Sequence, residues 1–228
     1  MSKNLTVISL GGSLVFPKDG LDVPFVKGFV DLIKRRVNNG EKFAIITGGG
    51  TMSREYQTAL KEISKNSEEE LDWMGIYATR MNAEFVRLSF GELADEQIIP
   101  EPFGFKEIKK GVAVGGGFKP GRSSDFSAVV IAENIGAKKV INLSNIDYVY
   151  DSDPKVNPDA KKVEKISWSD FLAILPPTWT PGANVPFDPV AAKRAENAKL
   201  QVIIMNGKNL TNLESCLDGR EFAGTTVI

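Results

Sequence analysis

The chain contains no histidine. That removes Ser-His-Asp triads, histidine metal sites and imidazole acid–base chemistry together. It contains one cysteine, Cys216. An intrachain disulfide is therefore impossible, which fits a reducing compartment. Neither sign of charge dominates: 28 basic and 29 acidic residues leave a formal net charge of −1. A nucleic-acid surface needs a basic face, so that partner is not expected. No run of about 18 apolar residues is present, and no membrane span is expected. The apolar stretch Leu5–Leu10 is too short and too soon interrupted for a signal peptide. These absences point to a soluble, cytoplasmic protein in which any anion site is local, built from a few residues and backbone amides.

What is present is a recurring strand–glycine–helix unit. Leu5–Leu10 reads as a buried strand ending in Gly11-Gly12-Ser13. Phe25, Val26, Phe29, Val30, Ile33 and Val37 follow at helical spacing, with Gly40 as a stop. Lys42–Thr47 is a second strand ending in Gly48-Gly49-Gly50, with a helix from about Ser53. Glu68–Glu70 opens a long helix reaching about Phe90, the acidic triplet suiting a helix N-terminus. Val112–Val114 is a short strand ending in Gly115-Gly116-Gly117, and a helix over about Asp125–Ile135 is closed by Gly136. Lys139–Leu143, Gln201–Met205 and Thr225–Ile228 are further strands, and Pro189–Lys199 is a helix. Asp151–Asp159 and Pro176–Pro186 are irregular, rich in proline and polar residues. Alternation of strands and helices implies a mainly parallel sheet covered on both faces, a three-layer α/β/α sandwich.

In a parallel sheet the three glycine turns fall at one edge, where ligands bind. Glycine lets backbone N–H groups approach an anion, and a following helix adds the positive end of its dipole. One such turn is more often a tight connection; three at successive strand ends favour phosphate binding. Gly116–Ser123, Gly-Gly-Phe-Lys-Pro-Gly-Arg-Ser, nearly matches a P-loop, but Arg122 stands where lysine is required, and the match is read as coincidence. Lys119, Arg122, Ser123, Ser124 and a helix start are still offered there to an anion.

The turns, together with Ser144-Asn145-Ile146-Asp147-Tyr148-Val149-Tyr150 and Asp151-Ser152-Asp153-Pro154-Lys155, resemble the amino-acid kinase superfamily. Within it the chain is most similar to archaeal-type UMP kinases, through Gly48–Arg54, Asp72–Ala83, Gly116–Asp125, Phe187–Lys193 and Gly224-Thr225-Thr226. The resemblance spans nearly the whole chain. It implies one domain over residues 1–228, with an acceptor lobe over about 1–137 and an ATP lobe over about 138–228. It also implies ATP-dependent phosphorylation of UMP, Mg²⁺ accompanying ATP, and a homo-oligomer, often a hexamer built from dimers. Another small acceptor, or a non-catalytic nucleotide or oxyanion binder or storage protein on the same fold, is the alternative.

Position by position, the resemblance assigns Gly12, Ser13, Gly50 and Arg54 to the ATP phosphates or the transfer zone. Ser144, Asn145, Tyr150 and Asp153 would hold the adenosine. Gly49, Asp72 and the run Phe118, Lys119, Pro120, Gly121, Arg122, Ser123 and Ser124 would hold UMP. A carboxylate such as Asp72 can accept from two ribose hydroxyls, and the Arg54 fork matches phosphate oxygens. Lys193 and Arg54 are the candidate cations for the transferring phosphoryl. Asp188 is carried with them, although Asp188-Pro189 is also a good helix cap. No protein-held metal is expected. The chain departs from the superfamily pattern twice: Ser9 occupies the place of a first-strand lysine, and Tyr148 replaces a customary glycine. The missing charge would come from Lys193 or Lys18, and the Tyr148 ring would reshape the nucleotide pocket.

Overall fold

A computed structural model describes residues 5–152, 156–178 and 185–228. Seven strands form one sheet: β1 (Leu5–Leu10), β2 (Lys42–Thr47), β3 (Val112–Gly115), β4 (Lys139–Ser144), β7 (Lys165–Ile166), β8 (Gln201–Asn206) and β9 (Thr225–Val227). Their order is β3-β2-β1-β4-β8-β9-β7. β1, β2, β3, β4 and β8 are mutually parallel, β9 runs antiparallel to β8, and β7 joins β9 in parallel. A small hairpin, β5 (Val149–Tyr150) with β6 (Lys162–Val163), stands outside this sheet.

Alternation along the strands builds two cores. On one face Val7, Ala44, Ala113, Val140 and Val202 meet α5 (Ser124–Ile135), α6 (Trp168–Ile174) and α7 (Pro189–Asn197). On the other, Ile8, Ile45, Val114, Ile141 and Ile203 meet α2 (Val23–Asn38), α4 (Glu68–Phe90) and α8 (Leu210–Leu217). Successive strand residues point to opposite faces, so a strand buried on both reads as a continuous apolar run. The three-layer α/β/α sandwich expected above is the observed architecture.

Local chemistry fixes the helix ends. The Ser67 hydroxyl accepts from the Glu70 N–H, while the Glu70 carboxylate accepts from the Ser67 N–H, so α4 starts on a capping box. The Ser123 hydroxyl accepts from Phe126 N–H at the start of α5, and Gly136 ends that helix in the left-handed region at φ 71°. Asp188 accepts from the N–H groups of Val190 and Ala191 at 2.7 and 3.3 Å, with Pro189 in the first turn of α7.

The helix expected from about Ser53 starts three residues earlier, as α3 (Gly50–Ile63), so the third glycine of the turn is already its first residue. β5, β6 and β7 have two residues each and carry no readable periodicity. The short α1 (Gly12–Val15), α6 and α8 are likewise not legible in the sequence as separate elements. The described parts of 151–159 and 176–186 are irregular, as their composition implies.

Candidate active site

Because β3, β2, β1 and β4 are neighbours and parallel, the turns after β1, β2 and β3 lie side by side at one sheet edge. The first two touch. A Cβ on Gly12 would fall on the backbone of Gly48 and Gly50, and Gly50 itself has φ 66°. Glycine is therefore required at both positions. The N–H of Gly48 donates to Leu10 O at 2.9 Å, tying the second turn to the end of β1.

These turns open into a cleft of about 260 Å³ lined by Gly48, Gly49, Gly50 and Gly117. α3 contributes Ser53, Arg54 and Gln57; α4 contributes Asp72, Gly75, Ile76 and Thr79. The opposite wall is Arg122, Ser123, Ser124 and Asp125, with Val185 and Asp188 behind. Asp72 Oδ2 accepts from the N–H of Gly121 at 2.6 Å, so the carboxylate expected at a ribose faces the 118–124 segment directly. Arg54 donates to Thr51 Oγ1 at 3.0 Å, and the Arg122 guanidinium lies 4.9 Å over the Phe126 ring. Among the described residues neither arginine forms an ion pair. The cleft thus offers two guanidinium groups and the glycine backbone as potential donors to an anion, beside the carboxylates of Asp72, Asp125 and Asp188.

Asp125 is the residue that sequence reasoning left out. Its Oδ1 accepts from Ser9 Oγ at 2.7 Å and from Asn142 Nδ2 at 2.9 Å. Burial pushes its carboxyl up to about 6, and the negative charge of Asp188 adds to the rise, while the hydrogen bond from Ser9 opposes it. Asp188 also accepts from the Ser123 hydroxyl, so it serves two helix starts while standing at the back of the cleft. Capping is therefore its visible role. Asp125 sits two residues past the α5 cap and reads in the sequence as an ordinary first-turn acid. A signal did exist on α4: Asp72, Gly75, Ile76 and Thr79 share one helical face, and that face lines the cleft.

The expected residues are only partly brought together. Gly49, Gly50, Arg54, Asp72, Arg122, Ser123 and Ser124 line the cleft, whereas Phe118 packs against Phe103 and Phe126 beside it. Lys119, Pro120 and Gly121 lie on the segment between them, outside the cleft lining. Gly12 is buried beneath the turns, and Ser13 follows it in α1. Ser144 ends β4 and its hydroxyl accepts from Ile146 N–H at 3.2 Å; Asn145 is exposed, and Tyr150 pairs with Lys162 across the small hairpin. Asp153 lies outside the described residues.

Lys193 is not in the cleft. Its Nζ pairs with Glu196 at 2.6 Å on the outer side of α7, with 63% of the side chain exposed. Position on the helix explains this: Ala191, Ala192 and Ala195 occupy the buried face, and Lys193 takes the other. Lys18 is exposed and likewise absent from the cleft lining. The Tyr148 ring lines a separate cleft of about 540 Å³, with Phe222 and Arg220, and Lys162 Nζ stands 4.8 Å over it. None of the glycine turns, nor Ser144, Asn145 or Tyr150, borders that second cleft.

This geometry agrees with the comparisons to known proteins. The family model described as the amino acid kinase family matches residues 4–206. The chain belongs to the amino acid kinase family. It is 33% identical over 205 residues to a uridylate kinase of Methanococcus aeolicus, covering 88% of this chain and 90% of that one. With a uridylate kinase of Thermococcus kodakarensis it shares 32% identity over 226 residues, covering 97% and 98% of the two chains. The crystal structure of uridylate kinase from Archaeoglobus fulgidus superposes with a TM-score of 0.82 at 30% identity, covering 98% of this chain and 99% of that one. The UMP kinase of Bacillus anthracis, at 20% identity and a TM-score of 0.76, shares the fold. Within the family the chain stands with the archaeal uridylate kinases.

Proposed function

We propose that the chain transfers a phosphoryl group from ATP to UMP, giving ADP and UDP. The observation that carries this reading is the placement of Asp72. Its carboxylate accepts from the N–H of Gly121 in the acceptor segment and lines the same cleft as the second and third glycine turns and Arg54. A carboxylate able to accept from a ribose diol thus shares one cleft with donors for phosphates. The likeness to uridylate kinases over nearly the full chain supports it.

Transfer between phosphates needs little acid–base chemistry, since the acceptor oxygen is already anionic; positioning and charge neutralisation carry the rate. A histidine-free chain suits that demand. With Lys193 turned outward, Arg54, Arg122 and the turn amides supply the protein's positive charge. Mg²⁺ enters as the Mg-ATP complex. Residues up to about 137 then form the acceptor lobe and those from about 138 the ATP lobe, with Gly12, Ser13, Ser144, Asn145, Tyr150 and Asp153 on the donor nucleotide.

The same reading makes the protein a cytoplasmic homo-oligomer. Support comes from α4, where Tyr77, Met81 and Leu88 are 57%, 66% and 62% exposed. Their spacing puts them on one side of the helix, an apolar stripe suited to a second copy. No described helix is long and apolar enough to cross a membrane.

ADP release from Mg-ATP, measured against UMP, CMP, dUMP, isopentenyl phosphate, glutamate and aspartate, tests the assignment. UMP-dependent release above all others is expected. Preference for another acceptor would make the chain a different kinase, and ATP binding without turnover would make it a binding protein.

A further inference from the structure

Three polar residues of α4, Thr79, Arg80 and Asn82, have no part in the chemistry proposed above, yet all are spent on the glycine turns. Asn82 is 2% exposed, and its Nδ2 donates to Gly48 O at 2.9 Å and to Gly49 O at 3.3 Å. Thr79 Oγ1 accepts from Gly117 N–H at 2.6 Å. Arg80 Nε donates to Gly117 O at 3.1 Å, and its Nη2 donates to Phe118 O at 3.3 Å. Among the described residues Arg80 has no carboxylate partner.

A peptide unit is planar, so fixing its carbonyl also fixes the direction of the next N–H. Holding the carbonyls of Gly48 and Gly49 therefore also fixes the N–H groups of Gly49 and Gly50, two residues that line the cleft. Glycine has no side chain to hold such an orientation, and its backbone is freer than any other, so the restraint must come from a neighbour. The same holds at the third turn. There a rigid guanidinium fork takes two successive carbonyls and so sets the course of residues 118–124 over the cleft. Thr79 fixes the N–H of Gly117, the first of these two residues.

We infer that α4 aims the two turns separately, with Arg80 as the positioning residue for the acceptor segment and Asn82 as that for the phosphate turn. Neither reaches the cleft itself, since neither is among its lining residues. The inference rests on the assignment of UMP to this cleft and adds a division of labour to it. Loss of Arg80 loosens only the acceptor segment. Loss of Asn82 loosens a turn that faces the phosphates of both nucleotides.

The test compares Arg80→Ala, Arg80→Lys and Asn82→Ala in the full chain by KM for UMP, KM for ATP, kcat and thermal midpoint. Two hydrogen bonds from a charged group are lost in Arg80→Ala, so KM for UMP is expected to rise roughly tenfold or more. KM for ATP should stay within about twofold. Lysine, with one ammonium in place of a fork, should restore the UMP value in part. Asn82→Ala should lower kcat on the order of 100-fold, because displacement of about 1 Å in a reacting geometry costs that much. Equal increases in both KM values for Arg80→Ala, or an unchanged KM for UMP, would overturn the inference. If Arg80→Ala does not fold, Arg80→Lys decides the same question through the ratio of its two KM values. A wild-type protein that turns over no UMP would instead defeat the functional assignment.

Discussion

The Ser9 hydroxyl donates to Asp125 Oδ1 at 2.7 Å across 116 positions of sequence. This one contact joins the first strand to the start of α5, at the position where the superfamily resemblance implies a lysine. A lysine there would neutralise Asp125. A serine supplies the hydrogen bond without the charge, and the carboxyl stays within reach of the Asp188 charge. Burial raises the proton affinity of Asp125, the charge of Asp188 adds to the rise, and the Ser9 hydrogen bond opposes it.

Stability should register it. The folded-state pKa of about 6 lies above the ordinary value of 3.8, so between these limits the native state binds more proton than the unfolded chain. The favourable contribution is fully present below about pH 4 and is lost as pH rises to about 6. The free-energy gap between wild type and Asp125→Asn should therefore move in favour of the variant as pH rises from 4 to 7, by ~3 kcal/mol at most. Urea denaturation of both proteins at several pH values measures it; a gap that stays constant would place the Asp125 titration elsewhere.

Asp72→Asn should weaken UMP far more than ATP. Only the acceptor ribose would use this carboxylate, and an unpaired buried group costs about 1–3 kcal/mol. Separate titrations of UMP and a non-hydrolysable ATP analogue check it. Equal losses for the two ligands would reduce Asp72 to an anchor for Gly121.

Arg54→Ala should cut kcat by roughly 100- to 1000-fold, the usual cost of removing a preorganised donor to developing charge. Lys193→Ala should leave turnover within about threefold, since Lys193 gives up only an exposed pair with Glu196. Steady-state rates of the two variants side by side decide which cation serves the phosphoryl group.

Tyr77→Glu and Met81→Glu should each shift the protein to a smaller assembly, because a charge placed in an apolar interface cannot be paired there. Light scattering after size-exclusion chromatography reads the mass directly. Both residues are more than half exposed in the isolated chain, so the monomer fold should persist, with an unchanged far-UV circular dichroism spectrum.

The fold is legible wherever an element is long enough to show its period. β1, β2 and β4 are short, mostly apolar segments ending in turns, and α2 and α4 carry caps and stops that local chemistry explains. The glycine turns announce the cleft because only glycine tolerates the approach of Gly12 to Gly50. What stays hidden depends on distant partners. Nothing near Asp125 in the sequence indicates Ser9 or Asn142, and nothing near Lys193 indicates that its neighbouring alanines claim the buried face. β7 is two residues long and exists as a strand only because β9 offers it an edge.

That last arrangement sets an order of events for a chain made from one end. β9, the last described strand in sequence, lies between β8 and β7, and among the described residues β7 has no other neighbour in the sheet. Thr225 also accepts from Val149 N–H at 2.8 Å and donates to Val163 O, so the small hairpin is pinned by the same residues. During synthesis, residues 149–166 wait on a strand that emerges some sixty residues later, while β1, β2 and β3 already have their partners. The nascent polypeptide can thus assemble the glycine turns first and must hold its other flank open until Thr225–Val227 arrives, a late closure of the kind that non-local pairing imposes.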